Sequence, residues 1–166
     1  GSISMEPSAT QIEALRAAAR RHDCAVSFGC GAGHRALLVS ANETEVQYGP
    51  LVSLNGRRIA IVSAAQSPIA TATLDSARVE MERALQQGAE ALLIMRSGPN
   101  AEPTWIADLA AGLPLLHVSA ACDTQIPGHT SDWLGGTRAC DTHGLTLGHI
   151  AHAEEGVLQV QLYFGA

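Results

Sequence analysis

Between Pro127 and His143 the chain gathers most of the side chains that bind metals or do covalent chemistry: His129, Asp132, Trp133, Cys140, Asp141 and His143. Imidazole and carboxylate are hard or borderline ligands suited to a divalent ion such as zinc, and His129, Asp141 and His143 are the candidate metal set. Cys140 can serve as a thiolate ligand or a nucleophile, so Cys140, His143 and Asp132 are the candidate catalytic residues. Trp133, held in a polar glycine-rich stretch, can floor a ligand site or anchor a partner, and with His129 and Asp141 it makes the candidate binding group. The plain alternative is a solvated loop of ordinary turn residues. His149 and His152 follow closely, but on a strand a separation of three points them to opposite faces, which makes them a poor joint ligand pair.

Other chemistry-bearing positions read more simply. The run Gly29-Cys-Gly-Ala-Gly33 superficially matches a nucleotide-binding glycine turn, yet that turn needs a helix after the glycines, and Ala36-Leu-Leu-Val-Ser40 reads as a strand. A tight β turn is the expectation, with His34 exposed beside it. His117 falls between Leu116 and Val118 in an apolar strand, as a hydrogen-bonded core histidine would. Ser40, Ser63 and Ser119 each follow an apolar strand, where α/β proteins often keep catalytic groups, but no Gly-x-Ser-x-Gly elbow occurs. Cys24, Cys30, Cys122 and Cys140 show no closely spaced Cys-x-x-Cys pair, so burial as small apolar residues is expected. The competing idea is a disulfide, Cys122 to Cys140 or Cys24 to Cys30, in an oxidising compartment.

The elements that must position these residues are clearest in mid-chain. Arg58-Ile-Ala-Ile-Val-Ser63 and Ala91-Leu-Leu-Ile-Met95 are short, nearly unbroken apolar runs, as parallel strands covered on both faces require. Between them Leu74, Ala77, Met81, Ala84 and Leu85 recur at helical spacing, and Gly88 sits where a helix end favours positive φ. This spacing predicts a right-handed βαβ crossover. Thr10 and Glu13 match a capping box, so a first helix is expected over 10–22. Two strands flank the glycine turn, and Thr44 to Tyr48 adds a third. Thr104 can cap a short helix through Ala111, followed by the strand Leu113-Pro-Leu-Leu-His-Val-Ser119. Residues 122–144 read as an irregular polar loop, of the length that is more often functional than idle. Val157 to Phe164 alternates, as a closing strand with one wet face does.

Composition sets the outer limits. The chain has 166 residues, enough for one domain, and a net charge of −6 with scattered arginines, which argues against a nucleic-acid surface. Apolar residues make up 46% and aromatic ones only 4%, with no apolar run of membrane-spanning length. Gly1 to Ser4 read as an expression remnant ahead of Met5, and the following residues show no basic stretch leading into an apolar core. A soluble, cytoplasmic protein is expected.

The order strand, helix ending in Gly-Ala, strand, short helix, Pro-led strand resembles the protease-associated domain. The residues carrying the likeness are Tyr48 to Val62, Ala84-Leu-Gln-Gln-Gly-Ala-Glu-Ala-Leu-Leu-Ile94 and Leu113-Pro-Leu-Leu-His-Val-Ser119. The resemblance implies an α/β, mixed α+β fold in which a small central sheet with a βαβ crossover is flanked by further strands, a swivelling β/α unit. It also implies a noncatalytic binding or regulatory module that recognises a peptide, protein or small molecule, here through residues 122–144. No catalytic residue carries over from it. Nucleic acid and membrane are not expected partners; a second copy of the chain is an allowed one. The alternative is a small metal- or cysteine-dependent hydrolase or lyase using His129, Asp132, Cys140, Asp141 and His143, with a divalent metal such as zinc as its only implied cofactor.

Overall fold

The computed structural model describes residues 7–30, 35–42, 45–65, 72–97, 105–110, 112–119, 121–122, 133–152, 154 and 156–164. In chain order these form α1 (Ala9–His22), β1 (Ala25–Cys30), β2 (Arg35–Ser40), β3 (Gln47–Tyr48), β4 (Leu51–Leu54), β5 (Arg57–Ala65), α2 (Ala72–Gln86), β6 (Ala91–Ser97), α3 (Trp105–Leu109), β7 (Leu115–Ser119), β8 (Ala121–Cys122), β9 (Trp133–Cys140) and β10 (Thr146–His152).

The mid-chain crossover forms as its periodicity predicts. β5 pairs in parallel with β6, and β6 with β7. α2 joins the first pair and lays Ala77, Met81 and Ala84, all fully buried, onto Ala60, Val62, Leu92 and Ile94 of the sheet. Gly88, at φ 85°, ends the helix. Its N–H donates to the Leu85 carbonyl and that of Ala89 to the Ala84 carbonyl, two nested bonds that satisfy carbonyls the helix would otherwise leave open. Antiparallel strands extend the sheet on either side, giving the order β10-β9-β7-β6-β5-β4, with β8 paired to β9. Asn55 and Gly56, both at positive φ, supply the two-residue turn that folds β4 back onto β5.

The first three strands form a separate sheet, β1-β2-β3. Ala36 and Leu38 of this small sheet pack with Val52 and Ile61 of the large one, while Leu37 and Val39 face the other way, against Leu15 of α1. The layers therefore run α1, small sheet, large sheet, then α2 with α3. The mixed α/β class with its βαβ crossover is as expected, and the additional strands are divided between the large sheet and a separate small one. The alternation of β2 is the physical reason, because a strand with apolar residues on both faces must be covered twice.

Three local expectations change as well. α1 is capped by Ser8 rather than Thr10: the Ser8 hydroxyl accepts from the Gln11 N–H at 3.3 Å and the Gln11 side chain accepts from the Ser8 N–H at 2.8 Å. Both registers satisfy the capping pattern, and the earlier one leaves Glu13 to pair with Arg16. The stretch read as an irregular loop over 122–144 contains all of β9 and the turn into β10. The Val157 to Phe164 segment keeps its alternation, with Leu158, Val160, Leu162 and Phe164 half-buried, but belongs to neither sheet. It crosses the face of β10: a Cβ on Gly148 would stand 2.7 Å from Leu158 Cδ1, and Gly156 rests on Ile150. Its end puts the Phe164 ring 5.1 Å from the Arg57 guanidinium. No helix among the described residues is long and apolar enough to cross a membrane.

The start of β5 is tied to the start of β6 by Glu90. Its carboxylate accepts from the Arg58 backbone N–H at 2.9 Å and from the Arg57 guanidinium at 2.6 Å. These bonds, the backbone one foremost, hold its carboxyl below the ordinary value of 4.5. A carboxylate with a lowered folded-state pKa adds stability above its unfolded pKa and loses it as pH falls through the folded one. Glu90→Gln is therefore expected to lower the melting temperature at pH 7, and the gap to the parent to close as pH drops below about 4.5. Leu92→Ala, which empties a site at the centre of the core, is expected to cost about 3 kcal/mol by urea unfolding.

Candidate functional site

β9 decides which candidate residues can meet. It runs antiparallel to β7, with Cys140 opposite Leu115, the first residue of β7, and Arg138 opposite His117. Cys140, Asp141 and His143 therefore stand at the amino end of the parallel strands. Trp133, seven residues earlier, lies at the other end, roughly 24 Å away along the strand. There it pairs with Cys122 of β8. His129 and Asp132 lie outside the described residues. Trp133 and Asp141 of the candidate binding group thus belong to opposite ends of one strand. Among the described residues no group of three or more His, Cys, Asp or Glu side chains is placed to hold a metal ion.

At the lower end Ala110, Leu115, Arg138, Cys140, Asp141 and His143 border a cleft of about 310 Å³. The arrangement is that of a turn. Asp141 Oδ1 accepts the backbone N–H groups of His143 at 2.8 Å and Leu145 at 2.9 Å, closing the β9–β10 hairpin. Partial burial pushes the Asp141 carboxyl up, but the Leu145 and His143 N–H groups and the charge of His143 outweigh it, and the net shift is downward. His143 is 80% exposed at the tip, with Nδ1 3.8 Å from Asp141 Oδ2. Cys140 is only 4% exposed and packs in the core with Leu115, Ile106 and Ala110. An apolar socket suits a packing thiol, not an attacking one. Cys24 and Cys140 are both free, so neither of the competing disulfides forms; Cys140 is buried as expected, whereas Cys24 is exposed.

The upper end is the rim where β5, β6 and β7 finish together. Ala64, Arg96 and Ser119 share one row across the three strands. In doubly covered α/β sheets the carboxyl ends of the strands are where ligands bind, because the loops there are free to vary while the strands hold them rigidly. Arg96 is buried, and so is His117, on the same sheet face one row below. Cys122 follows three residues after Ser119, just past the rim. Reading the sequence misses Arg96. Its one signal is a lone charge closing the otherwise apolar run of β6. Cys122, set aside as a packing or disulfide cysteine, is a cysteine whose backbone position lies just past the rim.

No family model matches the sequence, and no curated protein matches it. Solved structures do. One is a cysteine-to-alanine variant of an amidase from Nesterenkonia AN1, of the nitrilase superfamily, at TM-score 0.59 and 19% identity, covering 89% of this chain and 66% of the amidase. Another is the glutamine-dependent NAD+ synthetase of Acinetobacter baumannii with bound ADP, at TM-score 0.57 and 11% identity, covering 94% of this chain and 36% of the synthetase. The chain thus spans just under two thirds of the amidase and about a third of the synthetase. At these identities the likeness establishes the fold. It overturns the resemblance to a protease-associated domain, whose helix-Gly-Ala-strand signature ends many α/β crossovers. The reading as a noncatalytic module of that type rested on the resemblance and falls with it, since both similar structures are enzymes.

Two outcomes check the lower end. With a thiol-reactive disulfide reagent, Cys24 is expected to react at once in the native protein and Cys140 only on unfolding. Asp141→Ala is expected to speed amide hydrogen exchange at His143 and Leu145 while the core amides of β6 keep their protection.

Proposed function

We propose that the chain is a thiol-dependent hydrolase of carbon–nitrogen bonds in small amides, working at the carboxyl rim of the large sheet. The observation that carries this reading is the fold: the four-layer arrangement is similar over 89% of the chain to that of an amidase. The second similar structure, a glutamine-dependent synthetase, also points to an amide-bearing small molecule. Because the chain spans 66% of the amidase, the activity is inferred for the fold these residues build.

Cys122 is the nucleophile we assign. Its thiolate would add to the amide carbonyl carbon, the C–N bond would break and the amine leave with a proton, and water would then hydrolyse the thioester to a carboxylate. All ten Lys-plus-Arg positions of the sequence are arginines, so a histidine or a carboxylate, not a lysine, must accept the thiol proton. Cys140, embedded in the core at the far end, is excluded from the role by its position.

The test is ammonia release from a panel of acetamide, propionamide and glutamine. The expected result is turnover that falls about 1000-fold or more in Cys122→Ala and within a few-fold of the parent in Cys140→Ala. No release from any amide, or full activity in Cys122→Ala, would overturn the proposal.

A further inference from the structure

We infer that the chain carries a dimerisation arm: residues 156–164 of one copy add as a strand to the open edge of β1 in a second copy, over an apolar slot floored by Leu116 and Val118. The inference stands apart from the hydrolase reading. The fold holds a sheet that is a strand short and an extended segment that has no sheet.

The slot follows from where the small sheet stops. The Gln47 side-chain amide of β3 donates to the Ser53 carbonyl and accepts from the Ser53 N–H, both at 2.6 Å, so β3 lies beside β4. At the other end of the small sheet Ala25 of β1 joins the same apolar cluster as Leu93 and Met95 of β6, and the Ser27 hydroxyl stands 3.9 Å from Met95 Sδ. β1 therefore ends the small sheet above β6, with its outer edge toward β7. Among the described residues it pairs only with β2. Leu116 and Val118 of β7, in register with Leu93 and Met95, continue the same face of the large sheet. Val118 is nonetheless 37% exposed, in a strand that has a neighbour on each side. An apolar side chain left open on an inner sheet face marks a place for more of the covering layer.

The arm has the complementary make-up. Gly156-Val-Leu-Gln-Val-Gln-Leu-Tyr-Phe164 alternates as a strand does and contains no charged residue, and Ala25-Val-Ser-Phe-Gly-Cys30 of β1 contains none either. In a protein of net charge −6 these two stretches can meet without repulsion. Among the described residues no backbone group of 156–164 is hydrogen-bonded, and its four inward side chains are only half-buried, so little holds the arm to its own sheet. An extended backbone without ladder bonds in its own chain gains them by adding to an open edge, and an edge that carries no charge offers the template. Exchange of identical arms keeps two-fold symmetry, since each copy gives one arm and receives one.

The experiment is sedimentation equilibrium of the intact chain over a concentration series, with circular dichroism as the folding control. The parent is expected to show a monomer–dimer equilibrium. Val118→Lys sets a charge on the slot floor and is expected to weaken the dimer at least tenfold, while Val79→Lys, on the exposed face of α2, leaves it unchanged. Proline removes an N–H. Successive N–H groups of an extended segment point to opposite edges, so one of Val160→Pro and Gln161→Pro must lose a ladder bond to β1 and weaken the dimer, although neither removes a backbone bond seen in the single chain. A parent that stays monomeric throughout, a dimer that Val118→Lys leaves intact or Val79→Lys breaks, or a dimer indifferent to both prolines would overturn the arm. The prolines decide should Val118→Lys fail to fold. None of these readouts involves turnover, so the hydrolase reading stands or falls separately.

Discussion

Three parallel strands with greasy side chains on both faces cannot stay wet on either side, and the architecture follows from that constraint. β5, β6 and β7 carry Ala60, Val62, Leu92, Ile94 and Leu115 toward α2 and α3, and Ile59, Ile61, Leu93 and Met95 toward the small sheet. Covering the first face needs only the crossover helices, which the chain supplies between the strands. Covering the second needs a separate layer, and the N-terminal hairpin provides it. That hairpin then has its own outer face to bury, which is why α1 closes the stack. The small sheet reaches only part of the large one. Near β10 the segment 156–164 lies across the face instead.

The same constraint sorts the polar groups. Side chains that form turns sit at the amino end, where Asp141 closes a hairpin and Glu90 ties two strand starts together. Buried polar groups collect toward the carboxyl end, where Arg96 and His117 share a face. Burying a guanidinium has to be compensated by partners, and Arg96 and His117 both have them.

The central crossover was legible without coordinates. Two uninterrupted apolar runs, a helix with its apolar residues at 3.6-residue spacing and a glycine at its end leave little room for another local structure, and that logic also placed α1, β1, β2, α3 and β7 within a few residues. His117 was legible as a core residue because its immediate neighbours are apolar. The strand over Trp133 to Cys140 was not, because Gly135, Gly136 and Arg138 break any alternation, and its pairing with β7 is what holds it extended. The closing segment had the opposite fault: its alternation is real, but an alternating pattern reports one wet face and does not say whether the backbone joins a ladder or lies across one.

What the sequence by itself determined is therefore local: which stretches are greasy on one side or two, where helices start and stop, and that no Gly-x-Ser-x-Gly elbow is present. Proximity belonged to the tertiary structure alone. Trp133, Cys140, Asp141 and His143 looked like parts of one site, yet an extended strand moves about 3.4 Å per residue and carries Trp133 and Cys140 to opposite ends of the sheet. Only the register of β9 against β7 could show that, just as only the alignment of three parallel strands could set Arg96, Ser119 and Ala64 side by side from distant parts of the chain.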